Sequence, residues 1–189
     1  MGQEERVAHI LDVNVGLPEI DEIEMMKTAV KEIQAVTDLP LQIDTVNAEA
    51  LRAAMRRYNG KPLVNSVNGK SESMDAVLPL VAKYGGAVIA LTLDEDGIPA
   101  TAEDRLEIAK RIVKKAAEYG IDKKDIIVDP LALTVSSKSD SALVTLKAIE
   151  MLRERGILTS LGVSNISFGL PEREKINSAF FTSALERGL

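Results

Sequence analysis

Six polar residues close apolar segments that read as strands. Asp12 follows His9-Ile10-Leu11, Asp44 follows Leu41-Gln42-Ile43, and Asn65 follows Pro62-Leu63-Val64. Asp94 follows the apolar run 87–93, Asp129 follows Ile126-Ile127-Val128, and Asn165 follows Leu161-Gly162-Val163-Ser164. Carboxylates accept hydrogen bonds and amides both donate and accept, so such a set can grip a flat polar heterocycle by its edge. A strand buried on both faces is otherwise almost wholly apolar, so each of these residues needs a reason. In parallel α/β architectures the C-terminal rim of the strands is where ligands bind. The bland alternative is a cap on the following helix, a role Asp and Asn fill well.

The intervening stretches have the periodicity of amphipathic helices. Ile23, Met26, Val30 and Ile33 recur at helical spacing within 20–37, and acids at Asp21-Glu22 open that segment. Further helices are predicted at 48–58, 73–84, 102–119, 141–155 and 172–187, with Asn59-Gly60, Gly85-Gly86, Gly120 and Gly156 as stops. Thr101 and Asp104 approach a capping box. Strands are predicted at 41–44, 62–66, 87–93, 126–128 and 158–164 besides the first. Strict strand–helix alternation means a parallel sheet with right-handed crossovers. No strand leads into a Gly-x-Gly-x-x-Gly turn, which weighs against a doubly wound dinucleotide fold. A full eight-unit barrel takes about 250 residues. The 189 residues here suit six such units in one domain, 1–189.

Composition narrows the chemistry. Aromatics make up 3% with no Trp, so the core is aliphatic and the site is no aromatic cage. The absence of cysteine removes disulfides, thiolate nucleophiles and thiolate metal sites. A net charge of −6 argues against nucleic acid as a partner, and no apolar run reaches the roughly 20 residues of a membrane span. With no signal-peptide pattern at Met1-Gly2-Gln3-Glu4-Glu5, a cytoplasmic protein is expected. His9, the single histidine, is expected to pack at the bottom of the sheet rather than to catalyse. Asp94-Glu95-Asp96 lacks a partnering His or a calcium-loop spacing, so it reads as a solvated loop and no metal site is assigned. Gly69-Lys70-Ser71 mimics the end of a P-loop, but Val64 stands where the first glycine belongs.

Read with their neighbours, the strand ends become specific. Asp12-Val13-Asn14-Val15-Gly16, Gln42-Ile43-Asp44-Thr45, Val64-Asn65-Ser66-Val67-Asn68-Gly69 and Val128-Asp129-Pro130-Leu131 occur in order. With them come the 91–99 segment Leu-Thr-Leu-Asp-Glu-Asp-Gly-Ile-Pro and the 161–173 segment Leu-Gly-Val-Ser-Asn-Ile-Ser-Phe-Gly-Leu-Pro-Glu-Arg. This set resembles the pterin-binding barrel of cobalamin-dependent methionine synthases and methyltetrahydrofolate:corrinoid methyltransferases, a fold shared more distantly by dihydropteroate synthases. The resemblance implies a (β/α)8 TIM-barrel-type fold with units two to seven of eight present, strands one and eight being the missing ones.

The same resemblance implies roles. Asp44, Asn65 and Asp129 would hydrogen-bond the pyrimidine edge of the pterin, and Asn165 would contact N5, with Asp129 in the same catalytic network. Arg173, eight residues after Asn165, would contact the pterin; the alternative is a solvated first-turn residue. Asp12 and Asn14, on one face of the first strand, are expected to support the rim. Methyltetrahydrofolate would be the substrate, and cobalamin or another corrinoid would be supplied by a partner domain or protein. Open strand edges predict a homo-oligomer. Two other readings stand beside methyl transfer. One is a folate-binding or structural fragment without turnover. The other is dihydropteroate synthesis, which wants a lysine-bearing motif where Leu161-Gly162-Val163-Ser164-Asn165 stands.

Overall fold

The computed structural model describes residues 8–189. Six strands, β1 Leu11–Val13, β2 Leu41–Asp44, β3 Leu63–Asn68, β4 Ala87–Leu91, β5 Ile126–Asp129 and β6 Leu158–Thr159, alternate with six helices. The helices are α1 Glu22–Gln34, α2 Ala48–Arg57, α3 Ser71–Tyr84, α4 Ala102–Glu118, α5 Ser141–Arg153 and α6 Arg173–Arg187. Every strand pair is parallel, and the order across the sheet is β1-β2-β3-β4-β5-β6. A doubly wound sheet reverses direction at a switch point; a barrel adds each new strand on the same side. The unbroken order is that of a TIM-type barrel, present here as six strand–helix units.

Strand parity sorts the side chains. Leu41, Ile43, Val64, Val88, Ala90, Ile126 and Val128 share one core with Met26, Val30, Leu51, Leu78, Leu106 and Ile112 of the helices. Alternate residues point to the other face, where Gln42, Asp44, Asn65, Ile127 and Asp129 are only half-buried. The helices therefore line one face of the sheet and leave the polar strand ends on the opposite one. A second cluster of Ala132, Leu146, Ile149, Ile166, Phe180 and Ala184 joins α5, α6 and the turn that carries Asn165.

Three expectations change. The predicted strand 158–164 ends at Thr159, and Val163–Ser167 forms a 3-10 turn instead. As the last strand of the sheet, β6 pairs only with β5, and Ser160 N–H makes one further bond, to Val128 O, before the chain turns at Gly162. His9 is exposed rather than packed, because it precedes β1 in a bend. The 94–96 acids are more than a solvated loop: Asp94 pairs with Arg111 of α4 at 2.7 Å, and Glu95 accepts Ser71 N–H at 3.0 Å.

Gly69 sits where this loop meets α4. A Cβ there would lie 2.7 Å from Ile108 Cγ2, 2.8 Å from Arg111 Nη2 and 2.9 Å from Leu93 O. Gly69→Ala is accordingly expected to lower stability by about 1–3 kcal/mol, the usual effect of overpacking. Urea denaturation checks this, and an unchanged midpoint would mean that the α4 side chains yield freely. The P-loop likeness also dissolves here, since the N–H groups of Gly69, Lys70 and Ser71 go to Leu93 O, Asn68 Oδ1 and Glu95.

Candidate functional site

β2 and β3 set Asp44 and Asn65 side by side as register partners. Just past β1, Asn14 donates from Nδ2 to Asp44 Oδ2 at 3.0 Å, and its Oδ1 accepts Gly16 N–H at 3.0 Å. Both ends of that amide are occupied, so its orientation is fixed and Asp44 is aimed by it. Nearer the strand starts, Gln42 Nε2 donates to Asp12 Oδ1 at 2.7 Å. Thr45, buried beside Asp44, donates to the Glu22 carboxylate of α1 and accepts Asn47 N–H.

Asp129 ends β5. Burial pushes its pKa up from the ordinary value. The N–H groups of Leu131, at 2.7 Å, and of Gly162 pull it back, as does the positive charge of Arg105. Asn165 lies exposed in the 3-10 turn, with Nδ2 only 2.8 Å from where a Cβ on Gly162 would be. One glycine therefore joins the two residues: its N–H reaches Asp129, and its bare α-carbon seats the amide of Asn165. Arg173, in the first turn of α6, donates from Nε to Ser167 Oγ at 3.1 Å and from Nη2 to Ser164 O at 2.9 Å. Its guanidinium carbon lies 6.0 Å from the Phe168 ring centre. It is neither free nor simply solvated, and it anchors the turn that presents Asn165.

The capping alternative fails for these residues. α2 is capped by Asn47, not Asp44. The N–H groups at the entrance to α3 are served by Asn68 and Glu95, not Asn65. α5 and α6 have Asp140 and Glu172 at their N-caps, without side-chain capping bonds. Asp129 does bond Leu131 N–H two residues on, a local turn rather than a helix cap. Among the described residues the side chains of Asn65 and Asn165 find no hydrogen-bond partner, so both amides are open to a ligand. Also among the described residues, no three His, Asp or Glu side chains gather as a metal site, and no helix is long and apolar enough to cross a membrane.

Residues 4–189 match the profile of the family described as "Pterin binding enzyme". The chain belongs to that family. Among curated members, a methylcorrinoid:tetrahydrofolate methyltransferase of Eubacterium limosum is 36% identical over 194 residues, covering 100% of this chain and 71% of that protein. The methionine synthase of Mycobacterium tuberculosis is 33% identical over 196 residues, covering 96% of this chain. The alignment spans only 16% of that methionine synthase's length. The solved structures show a similar fold. Dihydropteroate synthase from Xanthomonas albilineans, in complex with 7,8-dihydropteroate, superposes with a TM-score of 0.78 at 23% identity. The superposition covers 99% of this chain and 73% of that one. It supports the partial TIM-barrel fold.

Gly162, Gln42 and Arg105 are residues bonded to or packed around these side chains that the strand-end pattern did not single out. A glycine inside an expected strand is itself a signal of close approach, and Gly162 carried it.

Proposed function

We propose that this chain binds methyltetrahydrofolate across the rim formed by Asp44, Asn65, Asp129 and Asn165 and activates its N5-methyl group for transfer. The acceptor is the cobalt of a corrinoid carried by a partner protein or domain. The observation that carries this reading is the pair of uncommitted amides, Asn65 and Asn165, set beside two carboxylates already held in place. A pterin edge offers alternating donors and acceptors, and fixed carboxylates and amides match it. N5 is a tertiary amine and a poor leaving group, so a donor aimed at it stabilises the charge that develops as the methyl leaves. The Asn165 amide is such a donor. The proton that N5 finally takes comes through water or a neighbouring acid.

The relative from Eubacterium limosum is named for transfer from methylcorrinoid to tetrahydrofolate. A site that stabilises the shared transition state serves both directions. The rim offers no imidazole for cobalt, because the single His9 is exposed and lies before β1, at the other end of the strands. In this reading the corrinoid is carried by the partner. The reading includes a second copy of the chain covering the edges that β1 and β6 present among the described residues, and a cytoplasmic setting.

Calorimetry with methyltetrahydrofolate, with sedimentation in the same buffer, tests this. Micromolar binding by a species larger than a monomer is expected. A folded protein that binds no folate would overturn the reading and favour a structural unit, a view to which the exposed Leu158 on the β6 edge gives some support.

A further inference from the structure

Arg105 is the largest fully buried side chain described, 1% exposed, and among the described residues no carboxylate forms a salt bridge with it. From the first turn of α4 its Nε donates to Pro99 O at 3.1 Å. Its Nη1 is shared among Pro130 O at 2.7 Å, Leu131 O at 2.8 Å and Thr145 Oγ1 at 3.2 Å. A buried cation satisfied chiefly by backbone carbonyls needs a purpose beyond stability, since an apolar side chain would fill the same space at lower desolvation cost.

The purpose lies in one peptide plane. The carbonyl of the Pro130–Leu131 peptide is held by Arg105, and the N–H of that same peptide donates to Asp129 Oδ1 at 2.7 Å. Leu131 itself has φ 63°, a left-handed conformation uncommon for a non-glycine residue. Its carbonyl is gripped by Arg105 and by the Thr145 hydroxyl, at 2.9 Å from the latter. The loop is thus pinned from α4 and α5 in a geometry it would not choose alone, and the pinned N–H aims the carboxylate.

We infer that Arg105 is a positioning residue for the pterin site, fixing the Asp129 carboxylate through the Pro130–Leu131 peptide and supplying its counter-charge. The role rests on the proposed folate reading for its purpose, though not for its geometry. The neighbours of Asp129 leave Arg105 as the charged group acting on it: β4 brings the Thr92 hydroxyl to its backbone carbonyl, the β6–α6 loop brings Gly162 N–H, and α5 brings Thr145 to the adjacent loop. The influence is mutual, Asp129 offsetting the downward pull of burial on Arg105.

Two readouts test it. In carboxyl-carbon NMR titrations, Arg105→Gln is expected to raise the Asp129 pKa further above its ordinary value, since both the aimed Leu131 N–H and the counter-charge are lost. Arg105→Lys, which keeps the charge but loses the planar fork, should move it less. In calorimetry, Arg105→Gln should weaken methyltetrahydrofolate binding about tenfold in the parent chain and less than twofold in an Asp129→Asn background. An unmoved Asp129 titration, or equal affinity losses in both backgrounds, would overturn the inference. If the parent binds no folate, the titration alone decides, and the folate reading fails separately. Should Arg105→Gln not fold, Arg105→Lys takes its place: an altered Leu131 amide shift with weaker binding sustains the role, and an unaltered Leu131 shift defeats it.

Discussion

Asn165→Ala is expected to lower the methyl-transfer rate more than about tenfold, toward the ~10²-fold that losing one preplaced donor costs, while weakening methyltetrahydrofolate binding much less. The asymmetry follows from when the hydrogen bond matters. In the ground state N5 carries a lone pair of modest basicity, and an amide donor adds little. As the methyl departs, charge develops at N5 and the same donor becomes strongly stabilising. Asn165 can serve because its amide is unspent and its position is overdetermined. Ile166 is buried beside it, Arg173 ties down Ser164 and Ser167, and Gly162 leaves room for Nδ2. Single-turnover transfer to a reduced corrinoid, with calorimetry on the same variant, separates the effects. Equal losses in rate and affinity would mean that Asn165 only binds.

The residues that were legible in the sequence are those whose type conflicts with their surroundings. Asp44, Asn65 and Asp129 stood out because a carboxylate or amide has no place in an otherwise apolar strand, and each strand ends at or soon after its polar residue. Parity then placed them on the face away from the helices. Asn165 was found by its neighbours' pattern, but its setting was missed. An apolar run with one glycine looks like a strand, but the chain leaves the sheet after Ser160 and coils into a 3-10 turn at Val163–Ser167. Arg105 was hidden for the opposite reason. In a helix bearing Glu103, Asp104, Glu107 and Lys110, an arginine reads as one more solvated charge, and nothing local reveals that Pro130 and Leu131 fold over it. Thr101 was legible because a cap is a local device: its hydroxyl accepts Asp104 N–H at 3.1 Å.

Asp129→Asn is expected to reduce methyltetrahydrofolate affinity by about 10- to 100-fold, the equivalent of one charge-assisted hydrogen bond of roughly 1.5–3 kcal/mol. It should also remove a pH dependence that has opposite signs for folding and for binding. Burial holds the folded-state pKa of Asp129 above its ordinary value, so the native chain takes up its proton more readily than the unfolded chain does. Its contribution to stability is therefore complete below the unfolded value of about 3.9 and is lost as pH rises through the raised folded value. At neutral pH the free protein bears the cost of an anion incompletely compensated by Leu131, Gly162 and Arg105. The donors on a pterin edge supply what is lacking, so ligand binding favours the ionised form. Affinity should fall as pH drops through the raised pKa, at a higher pH than an ordinary aspartate would give. Calorimetric titrations of the parent and Asp129→Asn between about pH 4 and 8, spanning the ordinary and raised carboxylate ranges, test both halves. An acid limb of equal steepness in the two proteins would assign it to the ligand's own carboxylates, and unchanged affinity at pH near 7 would remove Asp129 from the site. A site that is unsettled when empty and satisfied when full gains its selectivity from that difference, since a ligand without matching donors leaves the buried charge uncompensated.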